Sequence, residues 1–314
     1  MSVVKIYLFG QLNIECNEKV WSGPEGGKSR ELFCYLLIRR NVHHNRERLA
    51  SLLWEATSTA QSKKYLRQAL WQIQASCDDH LGKENGRLFL ADQEWVQMNP
   101  EAEVWVDVAA FDQTFSSLRA ARDLDESSAR ALDDAARLYR DDLLADWRQD
   151  WLLYERERLQ NTYLIMLDKL AAYCEARRDY AAGVSYGARI LQYDPAREHT
   201  HQQMMRMYYL AGDRIAALRQ FERCVESLRR ELDVGPSPST LALREQIGLS
   251  HFPQSSPASH SPATEQSALL PAILENLKQL QDKLVEMQSA LQQDIQAVEQ
   301  AMPQLKKAAN ESCD

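Results

Sequence analysis

The sequence predicts a mainly α chain: a small N-terminal α+β domain, then an all-α array, a linker and a final coiled-coil helix. Three observations lead there. Short alternating runs are confined to the first third, at Val3 to Trp21 and Arg87 to Met98. Helical periodicity dominates from Asp107 to about Ile247 and repeats with an offset of 34 residues. An apolar seam at heptad spacing occupies the last stretch. These place the domain boundaries at 1–105 and 106–249, the linker at 250–268 and the last helix at 269–303.

With 314 residues and 45% apolar composition, the chain can bury two cores and carry an extension. No run approaches the roughly 18 apolar residues of a membrane span, and MSVVKIYLFG lacks the layout of a cleavable signal peptide. A soluble, cytoplasmic protein with no membrane partner is expected. Six cysteines (Cys16, Cys34, Cys77, Cys174, Cys224, Cys313) include no CxxC pair and sit mostly in apolar-periodic segments, which predicts reduced, buried thiols. The net charge of −8 is unevenly spread: Lys28 to Gln74 holds nine cations against three anions, a local +6 that leaves −14 elsewhere. A basic island in an acidic chain suits a face that displaces counterions from phosphate.

Val3 to Trp21 reads as short strands before the turn SGPEGG. KSRELFCYLLIRR comes next as a helix with Leu32, Phe33, Leu36 and Leu37 inward and Arg39 and Arg40 in its last turn. A second, short helix spans Arg46 to Trp54, with Asn45 as its cap. The third, Ala60 to Cys77, places Leu66, Leu70, Ile73 and Cys77 on one stripe, with Lys64, Gln68 and Trp71 opposite and Arg67 and Gln72 flanking. Ser58 and Thr59 stand before it as cap candidates. Two strand-like runs, Arg87 to Leu90 and Trp95 to Met98, then form a hairpin.

Three helices followed by a hairpin make a winged helix-turn-helix, with the third helix for the DNA major groove and the hairpin as wing. Arg and Gln on such a helix can fork onto guanine or adenine edges, while lysines hold phosphate. The candidate DNA-binding residues are therefore Lys63, Lys64, Arg67, Gln68, Trp71 and Gln72, joined by Arg46 and Arg87 from the neighbouring elements, and the partner is double-stranded DNA. Taken alone, the same helix also reads as a solvated amphipathic surface.

Beyond Asp107, AAFDQTFSSLRAAR and SSARALDDAARLYRDDLLA read as a helix pair, and WRQDWLLYERERLQNTYLIMLDKLAAYC as a long bridging helix. Two later segments align with Asp179 over Asp213 and Gly183 over Ala217, the tetratricopeptide period of two antiparallel helices per repeat. Such tandem repeats bind partner segments and are not catalytic. SHFPQSSPASHSPATEQSA has linker composition. Leu270, Ile273, Leu277, Leu280, Leu284, Met287 and Leu291 then alternate steps of three and four, predicting a coiled coil that pairs protomers into a homo-oligomer. The alternative is an amphipathic helix folded back on the repeats.

Sheet, three helices, hairpin and the junction VWVDVAAF (Val104 to Phe111) resemble the Streptomyces antibiotic regulatory protein family. In that family an OmpR-like winged-helix domain leads into a bacterial transcriptional activation domain. RERLASLLW (Arg46 to Trp54) resembles its second-helix motif, and DPAREHTHQQMMRMYYLAGDRIAALRQFE resembles the central motif of the activation domain. The resemblance covers roughly Lys5 to Ile247 and implies an activator that binds promoter repeats and contacts RNA polymerase or its sigma subunit. The family's recognition helix commonly reads Leu-Arg-x-x-Val-Ser-Arg-Leu-Arg. Here Leu66, Arg67, Leu70 and Ile73 match, but Trp71, Gln72 and Gln74 replace the serine and both arginines, implying fewer phosphate contacts.

No enzymatic constellation is legible. His43 and His44 are adjacent, and His199 and His201 are two apart, so neither pair grips a metal from one helix face. No Walker A, G-x-G-x-x-G or G-x-S-x-G string occurs, and the acidic residues are dispersed. Catalytic residues, cofactors and metals are all expected to be absent. The competing function is a repeat-based protein-interaction adaptor with weak or lost DNA binding.

Overall fold

The alternation at the start of the chain becomes a sheet. In the computed structural model, which describes residues 4–17, 19–81, 87–121 and 123–249, β1 (Val4–Tyr7) buries Val4 and Ile6 and turns Lys5 outward. It pairs antiparallel with β2 (Asn13–Cys16), Ile6 opposite Ile14, and β2 pairs with β3 (Lys19–Trp21). Leaving β3, the chain turns at Gly23, whose φ of +90° and tight approach to the Leu12 side chain both exclude a Cβ.

Three helices come next. α1 (Gly27–Ile38) buries Leu32, Phe33, Leu36 and Leu37, as the spacing predicts. Arg39 and Arg40 lie beyond its last turn instead of within it, and Arg39 reaches across to Glu155, far along the chain. His44 and Asn45 form a two-residue strand, β4, directly before α2 (Arg46–Leu53). Asn45 caps α2, its Oδ1 accepting from the Glu47 and Arg48 amides at 3.0 and 3.2 Å. α3 (Thr59–Leu81) begins one residue after Ser58, whose carbonyl accepts from the Ser62 amide. β5 (Phe89–Ala91) and β6 (Trp95–Met98) then make the hairpin, with β5 starting two residues later than the sequence suggests. β4 joins it, giving a three-stranded sheet in the order β4-β6-β5.

The first sheet is completed from far along the chain. β7 (Val104–Val106) lies parallel to β1, with Val4 opposite Val104 and Ile6 opposite Val106, so the order is β3-β2-β1-β7. The next residue, Asp107, is the first of α4 (Asp107–Leu118) and is buried at 1% exposure. Its carboxylate accepts from the Leu8 amide at 2.8–2.9 Å, from Phe9 at 3.0 Å and from Val108 at 2.7 Å. Burial pushes its pKa up to about 6, although those amides and Arg140 pull the other way.

The rest is helical: α5 (Glu126–Leu138), α6 (Asp150–Ala176), α7 (Tyr180–Tyr193), α8 (Glu198–Leu210), α9 (Arg214–Leu232) and α10 (Pro238–Leu249). The molecule is thus mainly helical with a small N-terminal sheet region. α5 ends at Leu138, short of the Ala145 that the sequence pattern suggests, because tertiary partners claim the residues beyond it. Leu143 bridges Phe9, the Leu144 amide donates to Leu8, and both leucines are fully buried. The bridging helix likewise starts at Asp150 and not at Trp147. The 34-residue offset recurs in the caps: Asp179 accepts from the Ala182 amide at the start of α7, and Asp213 from Ala216 at the start of α9. Gly183 and Ala217 are both buried one turn further on.

One hydrophobic core runs from Val4 through the three N-terminal helices to Ile190, and a smaller one gathers Met205, Ala217 and Ile247 under Tyr208 and Phe221. Five cysteines are buried free thiols; Cys313, the predicted linker at 250–268 and the predicted coiled-coil helix at 269–303 lie outside the described residues.

Candidate nucleic-acid interface

α3 is a helix with two chemically distinct sides. Ser62, Leu66, Ala69, Ile73, Cys77 and Leu81 are buried against the body of the protein. Lys64, Arg67, Gln68 and Trp71 are exposed on the opposite side at spacings of three and four, so they form a single row. No Gly or Pro interrupts the helix from Thr59 to Leu81, and six buried residues anchor its inner stripe.

The eight predicted contact residues do not all join that row. Lys63 is half-buried and its ammonium pairs with Glu47 on α2, holding the Glu47 carboxyl below the usual range. Gln72 turns inward: its Oε1 accepts from the Ser29 hydroxyl on α1. Arg46 braces the hairpin, its guanidinium donating to the Asp92 carbonyl at 2.6 Å and its amide to the Glu94 carbonyl at 2.8 Å. Arg87 is exposed at the approach to β5, where its carbonyl accepts from Asn99. The structure thus brings together Lys64, Arg67, Gln68 and Trp71, leaves Arg87 apart on the hairpin, and gives Lys63, Gln72 and Arg46 partners within the protein.

The hairpin is stiffened in the same way. Asp92 Oδ1 accepts from the amides of Glu94 and Trp95 at 2.8 and 2.7 Å, closing the turn and holding the Asp92 carboxyl below its ordinary range. Arg46 ties the start of α2 to the same turn. Between them lies a cavity of 660 Å³ lined in part by Arg48, Leu52, Val42 and Trp95. Sequence reasoning misses Arg48 and Trp95 as lining residues; the alternation of Trp95 with buried Val96 and Met98 is the available signal.

Among the described residues no group of three or more His, Cys, Asp or Glu could hold a metal ion. His201 is buried between the Pro195 carbonyl and Gln220, and His44 contacts the Arg39 carbonyl, so both have packing partners. Among the described residues no helix is long and apolar enough to cross a membrane.

Comparison with known proteins adds a second line. Residues 106–248 match the family described as bacterial transcriptional activator domain. The transcriptional regulatory protein MoaR1 of Mycobacterium bovis (strain BCG / Pasteur 1173P2) and that of Mycobacterium tuberculosis (strain ATCC 25618 / H37Rv) are each 24% identical over 223 residues, spanning 70% of this chain and 71% of theirs. Among solved structures, Mycobacterium tuberculosis EmbR in complex with low affinity phosphopeptide aligns with a TM-score of 0.63 at 20% identity, covering 82% of this chain and 67% of that one. At that identity the likeness is one of fold.

Proposed function

Since the chain belongs to the Streptomyces antibiotic regulatory protein type of transcriptional regulators, with its bacterial transcriptional activator domain at 106–248, we propose that it activates transcription by binding promoter DNA through α3. In this reading α1 to α3 and the β5–β6 hairpin act as a winged helix-turn-helix, with the hairpin laid along the backbone. The observation that carries it is the exposed row of Lys64, Arg67, Gln68 and Trp71 on a helix whose other side is buried. Arg67 would fork onto guanine, Gln68 onto adenine, and Lys64 would hold phosphate. The helices from α4 onward, arranged as tetratricopeptide-like pairs, would contact RNA polymerase or its sigma subunit. The heptad seam at 269–303 would pair protomers and raise the effective concentration of a second DNA-binding domain at a neighbouring repeat. The place of action is the cytoplasm.

Selection of bound sequences from random duplex DNA by the purified full-length protein tests the reading. Recovery of a defined motif, bound more weakly as salt rises, supports it; recovery of no motif sinks it.

A second reading has its own observation. Two of the five candidate cations, Lys63 and Arg46, already have partners within the protein and Gln72 turns inward, as suits an adaptor that uses its helical array for protein partners and has lost strong DNA binding. Absence of any selected motif together with an unchanged helical fold favours this alternative.

A further inference from the structure

Trp71 is 71% exposed at the middle of α3, although an indole gains more from burial than almost any other side chain. It shares its row with Lys64, Arg67 and Gln68, and lies four residues, about 6 Å along the helix axis, beyond Arg67. The residues three and four positions before it are an amide and a cation, so the indole interrupts an otherwise polar face.

The inference rests on the DNA reading given above, and asks what an indole can meet in a major groove. Its ring is apolar, and its Nε1–H donates without accepting. Cytosine offers the groove an amino donor that the indole cannot satisfy. Guanine offers two acceptors and no apolar group, and adenine a donor beside an acceptor. Thymine alone presents an apolar group, the C5-methyl, next to an acceptor, O4. Guanine or adenine could accept from Nε1–H at one atom, but each would leave a second polar group under the apolar ring without a partner, which thymine does not. We propose that Trp71 reads thymine, about two base pairs from the base that Arg67 contacts, since about 6 Å of helix spans roughly two steps of 3.4 Å. The site would then be specified by a guanine and a thymine at fixed spacing, with Gln68 reading between them.

The test uses the full-length protein and the duplex recovered by selection. Each thymine is replaced in turn by deoxyuridine, which removes the methyl and keeps O4 and the base pairing. One thymine, within about two pairs of a guanine sensitive to Arg67→Ala, is expected to weaken wild-type binding about fourfold on losing its methyl. Trp71→Ala, a change at an exposed position, is expected to keep the wild-type circular dichroism and to bind the thymine and uracil duplexes equally. Wild-type protein indifferent to uracil everywhere, or a Trp71→Ala variant that still prefers thymine, overturns the assignment while DNA binding stands. If selection recovers no sequence at all, the DNA reading itself falls, and this inference with it.

Discussion

Arg39, the first residue past α1, donates to Glu155 on α6 at 2.7 Å, and the Glu155 side chain is only 4% exposed. The same carboxylate accepts from Arg158 at 2.8 Å, and Arg158 in turn forks onto Asp112 of α4 at 2.8 and 2.9 Å. Beside this chain of charges, the Trp151 indole N–H donates to Glu31 on α1 at 3.1 Å and its ring packs edge-on against Tyr35. α1, which packs against α3, is thereby fastened to the helical array.

Glu155→Gln should therefore destabilise the protein by about 2–4 kcal/mol, because it strips two guanidiniums of a buried counter-charge. Arg39→Ala should cost less, since Glu155 keeps Arg158 and Arg39 is itself partly exposed. Urea unfolding of both variants and of the double variant checks the ranking, and a Glu155→Gln midpoint equal to wild type would refute it.

Asp107 carries a pH signature. Its folded carboxyl sits near 6 instead of 3.8, because burial outweighs the amides that hydrogen-bond it. Between those values the folded state keeps a proton that the unfolded chain has lost, so the stability contributed is complete below about pH 4 and disappears as pH rises through 6. Asp107→Asn cannot titrate, and its amide turns two donors toward the Leu8, Phe9 and Val108 amides, costing about 1–3 kcal/mol at neutral pH. The stability gap between wild type and Asp107→Asn should widen as pH falls from about 7 to about 4. A gap independent of pH over that window would show that the carboxyl titrates alike in both states.

Lys64 and Arg67 should fail in different ways when truncated. Arg67→Ala is expected to relax the preference at one base position and cost about 1–3 kcal/mol there, whereas Lys64→Ala should weaken all sequences evenly and lower the salt slope by about one ion. Binding of selected and scrambled duplexes across a salt series separates the two. Equal, sequence-blind losses from both would remove base reading from Arg67.

The pair between Lys63 and Glu47 gives the opposite kind of variant, one that gains. Both side chains reach solvent, at 44% and 68% exposure, so their ion pair adds little stability. Glu47→Gln should leave the melting temperature nearly unchanged, release the Lys63 ammonium toward phosphate and steepen the salt dependence of DNA binding by up to about one ion. An unchanged slope would place Lys63 out of reach of the backbone.

The two sides of α3 are legible in the sequence because a period of 3.6 residues is enough to sort Leu66, Ile73 and Cys77 from Lys64, Gln68 and Trp71. The Asn45 cap is legible for a similar reason: cap chemistry is local. Contacts between elements are not. Gln72 finds Ser29 forty-three residues away, and Lys63 finds Glu47 on another helix, so spacing along α3 cannot distinguish them from Gln68 and Lys64. β7 has only three residues, and its strand character comes from β1, a hundred positions earlier. The end of α5 escapes pattern reading because Leu143 and Leu144 fit a helix by spacing but are claimed by the backbone of Leu8 and Phe9.

That long-range closure bears on how the protein is made. β1 leaves the ribosome well before its partners, for the strand beside it and the carboxylate that holds the amides just past its end belong to residues 104–107, and the segment that seals that end runs to Ala145. At about 5–20 residues per second, some 5–20 s pass before Asp107 is even synthesised after Leu8, and longer before Ala145 emerges. Through that interval the apolar face of β1 has only the β2–β3 meander and the first helices to cover it. In nascent chains arrested at successive lengths, protection of residues 4–9 from protease should rise only at stall sites beyond Ala145, so the head of this regulator matures together with the beginning of its activator domain and not ahead of it.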